Sequence, residues 1–361
     1  MSDTLSPIDD IQFEVKGGIG HILLNRPKAL NALTLVMCQH LLPKLQGWAQ
    51  DEKIKAVVVR GVGEKAFCAG GDIIRLYEDG RAGKSYPQDF WRSEYRCNTL
   101  IKHFPKPYIA LVDGISMGGG VGLSEHGSFV VATDRTMFAM PETGIGLFPD
   151  VGGSFFLSRL DGAIGIFLAL TGRRLKGAEC VAWGVADTLV PSENVDGLVA
   201  KLAAEATSDL SQVTEIIRPF AKLTEDVDIS AERGNIDKHF CEGSIEAILT
   251  SLDSDGGEWA QAQAKTMRQK SPMSMKVTFK QVREGAKLNF ADCMRMEWRL
   301  ANRFAADHDF YEGVRALLVD KDMKPQWNPA ALEDIDNARV DAYFAPLPGD
   351  EIDLSDIVRE N

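Results

Sequence analysis

Residues 108–127, YIALVDGISMGGGVGLSEHG, join an apolar run to a glycine-rich turn and a helix-like segment. The run YIALVD is typical of a buried strand. Three consecutive glycines, 118–120, then expose backbone N–H groups at the start of a helix, where partial positive charge stabilises an anion. The same glycines also permit a helix to pack closely on a strand, so both interpretations stay open here.

The alternation of strand and helix extends in both directions from this stretch. Gly17 and Gly18 indicate a hairpin, and IKAVVVRGVG, SFVVAT and MFAM are typical of further strands. Up to about residue 190 the pattern predicts an α/β core. Charged, mostly helical sequence follows, so we place a boundary near residue 200, between an α/β core (1–200) and a mainly helical region (201–361). The acidic stretch 346–361 predicts a loose tail.

Composition and charge limit the classes of partner. The 361 residues are 45% hydrophobic and 25% charged, and the net charge of -12 argues against nucleic acid, which requires a basic face. The six cysteines lack the spacing of a zinc site, so we expect reduced thiols and no metal. No apolar run approaches the ~18 residues of a membrane span. The acidic N-terminus lacks a signal or transit pattern, which predicts a bacterial-type cytoplasmic location, with a mature organellar form as the alternative.

Two acids stand in apolar surroundings in FAMPETGIGLFPDVGG, residues 138–153. Glu142 and Asp150 are flanked there by apolar side chains, glycines and prolines. Because a buried carboxylate must be paired, hydrogen-bonded or protonated, we expect these two acids to have a chemical task. A second small-residue turn, FCAGGDI (67–73), resembles the turn at 118–120, and two such turns could present N–H groups to one point, as in an oxyanion hole.

Ser116 supports a different kind of chemistry. GISMG, residues 114–118, matches the GxSxG nucleophile elbow and follows a predicted strand, as that motif requires. A serine hydrolase would then recruit Asp150 together with His239 or His308. The upstream oxyanion segment of that class is missing, however, so a small residue in a strand-to-loop turn is the favoured interpretation of Ser116.

Four segments together resemble the enoyl-CoA hydratase/isomerase (crotonase) superfamily. They are LNRPKALNAL (24–33), KAFCAGGDI (65–73), DGISMGGGVGLS (113–124) and MPETGIGLFPDVGGS (140–154). The resemblance implies a spiral of ββα units, in which the thioester carbonyl of an acyl-CoA lies between the backbone N–H groups of Gly71 and Gly119. It also implies CoA contacts at Ala69 and, less directly, at Lys28. Crotonase relatives often form oligomers, so a homo-oligomer is possible.

Departures from the hydratase pattern refine this resemblance. Hydratases carry a glutamate where this chain has Gly122, whereas Glu142 is retained and Asp150 is added. With FWRSEYRCN (90–98) and the segment 308–329, the chain is similar to the 3-hydroxyisobutyryl-CoA hydrolase branch, which acts in valine catabolism.

The resemblance to that branch implies a short 3-hydroxyacyl-CoA substrate and no further cofactor, since CoA is part of the substrate. Glu142 would be the nucleophile or general base, and Asp150 and Glu94 would bind the substrate hydroxyl or orient water. The helical region would help cover the site.

Other interpretations stay open. A hydratase or isomerase on the same fold, or a silent acyl-CoA-binding relative, would share most of these motifs. Glu94 could instead pair with Arg92 or Arg96 on a helix surface, and Asp150 could cap the helix that begins near VGGS.

Overall fold

The computed structural model describes residues 8–222 and 227–358. In these ranges the chain forms ten strands and sixteen α-helices. The strands are β1 Ile11–Lys16, β2 Ile19–Leu24, β3 Ala56–Gly61, β4 Ala66–Cys68, β5 Tyr108–Val112, β6 Ile115–Met117, β7 Phe129–Ala132, β8 Met137–Ala139, β9 Leu175–Lys176 and β10 Thr188–Leu189.

The helices lie between and after these strands. They are α1 Leu35–Gln50, α2 Ile73–Arg81, α3 Tyr86–Lys102, α4 Gly119–Ser124, α5 Gly153–Leu157, α6 Ile164–Thr171, α7 Gly177–Ala182, α8 Val195–Ala204, α9 Leu210–Ile217, α10 Ser230–Phe240, α11 Ile245–Asp255, α12 Glu258–Met267, α13 Pro272–Gly285, α14 Phe290–Phe304, α15 His308–Val314 and α16 Asn337–Phe344.

Two sheets share the strands in a regular way. One has the order β1-β2-β3-β5-β7-β10 and the other β4-β6-β8-β9. Each consecutive pair, β3/β4, β5/β6 and β7/β8, places its first strand in the larger sheet and its second in the smaller one. All neighbours among these six strands are parallel. The chain therefore advances by one ββα unit at a time, which confirms the predicted spiral.

Local sequence features determine the first hairpin and the start of the first helix. The strands β1 and β2 pair antiparallel across Gly17 and Gly18, and both glycines have positive φ angles, 57° and 84°, which glycine adopts without strain. Thr34 caps α1 by accepting a hydrogen bond from the Met37 amide.

The helices after residue 200 pack directly on the core. Of the described residues in this part of the chain, none belongs to a strand, as the sequence predicts. One cluster of buried apolar side chains draws on both parts of the chain. The rings of Phe148 and Phe304 stack at 5.4 Å, and those of Trp91 and Phe310 lie 6.0 Å apart. The domain boundary near residue 200 stays a prediction.

The prediction of a loose tail is wrong for its described part, up to residue 358. Ile352 and Leu354 are buried in the main core cluster, and Trp298 Nε1 donates a hydrogen bond to the Asp350 carbonyl oxygen. Ion pairs of Arg92 with Asp350 and of Arg96 with Asp356 add to these contacts, so both apolar and charged side chains attach the segment. Residues 359–361 lie outside the described residues.

None of the helices in the described ranges is long and apolar enough to cross a membrane.

Leu354→Ala should lower the free energy of unfolding by about 2–5 kcal/mol, because it removes a fully buried side chain and leaves a cavity. The matched control is Leu210→Ala, since Leu210 is 52% exposed and its loss should change stability by no more than about 0.5 kcal/mol. Urea unfolding of both variants measures the difference. Equal, small effects would contradict the packing of the tail.

Candidate active site

A cavity of about 400 Å³ lies where the turns after β4 and β6 meet. Six of the residues singled out in the sequence line it: Ala69, Gly71, Glu94, Gly119, Glu142 and Asp150. Lys28 is not among the lining residues and lies exposed in the short 3-10 helix Pro27–Ala29. The cavity therefore gathers both glycine turns and all three candidate acids.

Gly71 and Gly119 line this cavity from different turns. Leu33 bridges to the first turn through Leu33 N to Gly70 O and Asp72 N to Leu33 O, both 2.8 Å, which leaves the Gly71 amide outside the bridge. Gly119 is the first residue of α4, where an amide has no acceptor within its own helix. No described residue accepts a hydrogen bond from either amide.

The two amides also lie close together. A Cβ atom on Gly119 would lie 3.3 Å from the Gly71 nitrogen and would collide with Glu94 Oε1. A side chain at position 119 would thus displace the Glu94 carboxyl group, whereas glycine lets the backbone approach a ligand closely.

The three acids are buried although they come from separate elements. Glu94 lies on α3, Glu142 begins the 3-10 helix Glu142–Ile145, and Asp150 precedes α5. Their exposed fractions are only 2%, 5% and 5%. Among the described residues, Glu94 Oε1 and Glu142 Oε2 have no hydrogen-bond partner. Such acids are free to interact with a ligand in the cavity.

The alternative roles of Glu94 and Asp150 are wrong. Arg92 pairs with Asp350 and Arg96 with Asp356, so neither arginine pairs with the buried Glu94. Asp150 does not cap α5 with its side chain. Its carboxylate instead accepts a hydrogen bond from the Tyr95 hydroxyl at 3.0 Å.

Burial changes the ionisation of all three acids. It raises the pKa of Glu142 well above the usual glutamate value, and the nearby Asp150 raises it further, while Lys270 opposes the shift. Burial raises the pKa of Asp150 to about 7, against the hydrogen bond from Tyr95. Burial and then Asp150 also raise the pKa of Glu94. Asp150 can therefore take up and release a proton near neutral pH, as acid–base chemistry requires.

Ser116 does not form a nucleophile elbow. It is buried within β6, is absent from the cavity lining, and its hydroxyl has no partner among the described residues. The nitrogens of His239 and His308 contact Ser251, Asp255 and Asp309 instead. The structure thus supports the interpretation of Ser116 as a small structural residue, although it lies within β6 and not in the predicted strand-to-loop turn.

The position of Gly122 is closed by its neighbours. A Cβ atom there would lie 2.7 Å from Asn98 Nδ2 and 2.8 Å from the Val151 Cβ. A larger side chain at this position would require both neighbours to move.

Three lining or supporting residues escaped the sequence analysis. Tyr95 belongs to the buried stripe of α3 with Trp91, Glu94 and Asn98, and this i, i+3, i+4, i+7 spacing is the signal that could have found it. Arg174 and Lys270 also line the cavity, and Lys270 comes from the region after residue 200. No local pattern distinguishes these two cations from other surface charges.

In the ranges 8–222 and 227–358 there is no group of three or more His, Cys, Asp or Glu side chains that could hold a metal ion.

The fold and the cavity define an acyl-CoA-processing class. The family model for enoyl-CoA hydratase/isomerase matches residues 19–344, and the chain belongs to this family.

Two curated proteins are similar to this chain over most of its length. The Danio rerio protein named 3-hydroxyisobutyryl-CoA hydrolase, mitochondrial, is 47% identical over 96% of this chain and 91% of its own length. The Homo sapiens protein of the same name is 41% identical over 98% and 92%.

Solved structures are similar over almost the whole chain. A carnitinyl-CoA dehydratase from Mycobacterium thermoresistibile has a TM-score of 0.90 at 37% identity, covering 96% of this chain and 99% of its own. An enoyl-CoA hydratase from Rhodobacter sphaeroides has a TM-score of 0.87 at 35% identity, covering 95% and 99%. These similarities confirm the predicted family, its crotonase fold and its resemblance to the hydrolase branch.

The prediction of a bacterial-type cytoplasmic location is wrong. It relied on the composition of the N-terminus, of which residues 1–7 lie outside the described residues. The curated relatives from Danio rerio and Homo sapiens are both named as mitochondrial proteins, which does not support that location.

Asp150→Asn should make stability less sensitive to pH. Because the folded-state pKa of Asp150 is about 7, above the ordinary value of 3.8, its ionisation destabilises the folded protein as pH rises between these values. Relative to wild type, the variant should therefore gain on the order of 2–4 kcal/mol of unfolding free energy between pH 4 and pH 8. Urea unfolding at several pH values measures this gain. A difference independent of pH would contradict the raised pKa.

Proposed function

We propose that this chain is a CoA thioester hydrolase that converts 3-hydroxyisobutyryl-CoA and water to 3-hydroxyisobutyrate and CoA. The names of the relatives from Danio rerio and Homo sapiens support the substrate and the reaction. The observation that carries the proposal is the meeting of two amides, Gly71 and Gly119, with the buried Glu142 in one cavity.

The two amides would bind the thioester carbonyl oxygen. As negative charge develops on that oxygen, each preorganised donor of this kind stabilises the transition state by roughly 3 kcal/mol. Neither amide donates to another described residue, so neither needs to break a hydrogen bond within those ranges to do so.

Glu142 would drive the attack on the carbonyl carbon. It either attacks directly, forming an anhydride that water then hydrolyses, or removes a proton from the attacking water. In both versions the C–S bond breaks, CoA leaves as a thiolate that takes up a proton, and Glu142 must begin as a carboxylate. Asp150 and Glu94 would hold the substrate hydroxyl or orient the water, and Tyr95 would fix Asp150.

The CoA moiety would pass Ala69 and reach cations near the cavity. Arg174 and Lys270 line the cavity and supply local positive charge on a chain whose net charge is -12. Lys28 stays a further candidate for a phosphate contact.

Leu317 and Leu318 line the same cavity, which supports the proposal that the region after residue 200 covers the site. We also expect a homo-oligomer, as the resemblance to the family implies.

Hydratase chemistry is the alternative, since two similar solved structures carry dehydratase and hydratase names. The crowding of Gly122 by Asn98 and Val151 argues against it, because the second glutamate of the hydratase pattern has no room there. Parallel assays separate the two: the hydrolase releases thiol from 3-hydroxyisobutyryl-CoA, whereas a hydratase consumes the enoyl absorbance of crotonyl-CoA without thiol release.

Glu142→Gln should reduce thiol release from 3-hydroxyisobutyryl-CoA on the order of 100- to 10,000-fold, the usual contribution of a general base. The matched control is Glu125→Gln, because burial also raises the pKa of Glu125 but this residue does not line the cavity. A chromogenic thiol assay measures both variants. Retention of activity in Glu142→Gln would overturn the proposed role.

The pH profile offers an independent check. Since Glu142 must be ionised and its pKa is raised, kcat/KM should fall as pH is lowered through an apparent pKa well above that of an ordinary glutamate. Asp150→Asn removes a neighbouring negative charge, so the remaining activity should lose its acid limb at lower pH than wild type. An acid limb that stays in place would show that Asp150 does not influence Glu142.

A further inference from the structure

The loop that carries Asp150 has an unfavourable backbone conformation. Val151 has a φ of 54° and Gly152 a φ of 88°, and both lie in the left-handed region. A β-branched residue rarely adopts this conformation, which persists only where the surroundings hold it. Replacing Gly152 by a larger residue would not remove this unfavourable conformation, because the added Cβ atom would collide with the His126 ring.

Buried side chains from distant parts of the chain hold this loop. Glu297 Oε2 accepts a hydrogen bond from the Gly152 amide at 2.7 Å, and Glu297 Oε1 accepts one from the Ser154 amide at 2.9 Å and another from the Ser154 hydroxyl. Gln281 Nε2 donates to the Pro149 carbonyl oxygen at 2.6 Å, and His126 Nε2 donates to that of Val151 at 2.6 Å.

Glu297 is fully buried on α14, and burial raises its pKa to about 8 against the hydrogen bonds from Ser154 and Gly152. A buried carboxyl group requires several hydrogen-bond donors, and among the described residues Glu297 obtains all of them from Gly152 and Ser154. It does not line the cavity and cannot touch a ligand there. Its contacts are therefore directed at the backbone of the loop.

The location of the Asp150 carboxylate depends on the backbone of this loop. Its carboxylate has a single side-chain hydrogen bond among the described residues, from Tyr95. The position of the carboxylate in the cavity is consequently set by the loop conformation more than by its own contacts.

We propose that Glu297 is a positioning residue that holds the 149–154 loop so that the Asp150 carboxylate faces the cavity beside Glu142. The inference rests on the proposed function for its catalytic consequence. The helical region after residue 200 would then contribute to the chemistry through a buried anchor as well as by covering the site.

A double-mutant cycle between Glu297→Gln and Asp150→Asn tests this coupling. Gln keeps one accepting oxygen but places an NH₂ group against an amide donor, so one anchor of the loop is lost with little change in volume. In wild-type background Glu297→Gln should lower kcat about 10- to 100-fold, since misplacement by about 1 Å can have effects of that size. In the Asp150→Asn background it should cost less than about threefold, because Glu297 acts through Asp150.

Additive losses in this cycle would overturn the inference and leave the proposed function intact. Ser154→Ala is a milder second variant, which removes one donor without creating a buried mismatch at the Gly152 amide, and its smaller loss should be non-additive in the same way. Asp113→Asn is the matched control: this acid also accepts several hydrogen bonds but does not line the cavity, so its effect on kcat should be small.

Amide hydrogen exchange separates failure of the inference from failure of the proposed function. In Glu297→Gln the amide hydrogens of residues 151–154 should exchange faster than in wild type. In Asp113→Asn the exchange of these amide hydrogens should stay unchanged. If wild type releases no thiol, the proposed function fails, and the exchange data still decide whether Glu297 holds the loop. Unchanged exchange in Glu297→Gln would overturn that role.

Discussion

Three carboxyl groups line one cavity, and their burial is the constraint on which the site depends. Glu94, Glu142 and Asp150 come from three elements and are each at most 5% exposed. Burial raises the pKa of each, and repulsion from Asp150 adds to the shift for Glu94 and Glu142. A fold that holds such a group must hold it firmly, because relaxation would let the acids separate or reach water.

The ββα spiral supplies that firmness. Each repeat sends one strand to each sheet, so the turns after β4 and β6 end beside one another. Gly71 and Gly119 thereby line the same cavity from turns almost fifty residues apart. The region after residue 200 adds walls, with Leu317 and Lys270, and packs through α14 on α3, the helix that carries Glu94.

The sequence predicts features that depend on neighbours along the chain. The hairpin at Gly17 and Gly18 and the two glycine turns follow from local rules of backbone conformation. The acids of the site were found because their surroundings are conspicuously apolar or because the chain resembles a known family. Contacts between distant residues could not be found in this way. The Tyr95–Asp150 hydrogen bond joins residues that are 55 positions apart in the sequence. The buried Leu354 lies within an acidic stretch whose composition predicts a loose tail.

The central claim is that two amides polarise a thioester carbonyl beside Glu142. Infrared difference spectroscopy of carbonyl-labelled 3-hydroxyisobutyryl-CoA bound to the Glu142→Gln variant tests it directly, since that variant should bind the substrate without turning it over. We expect the C=O stretching frequency to shift below its value in water, because two preorganised donors lengthen the bond. A frequency equal to that in water would contradict the account, whatever activity the wild-type protein shows.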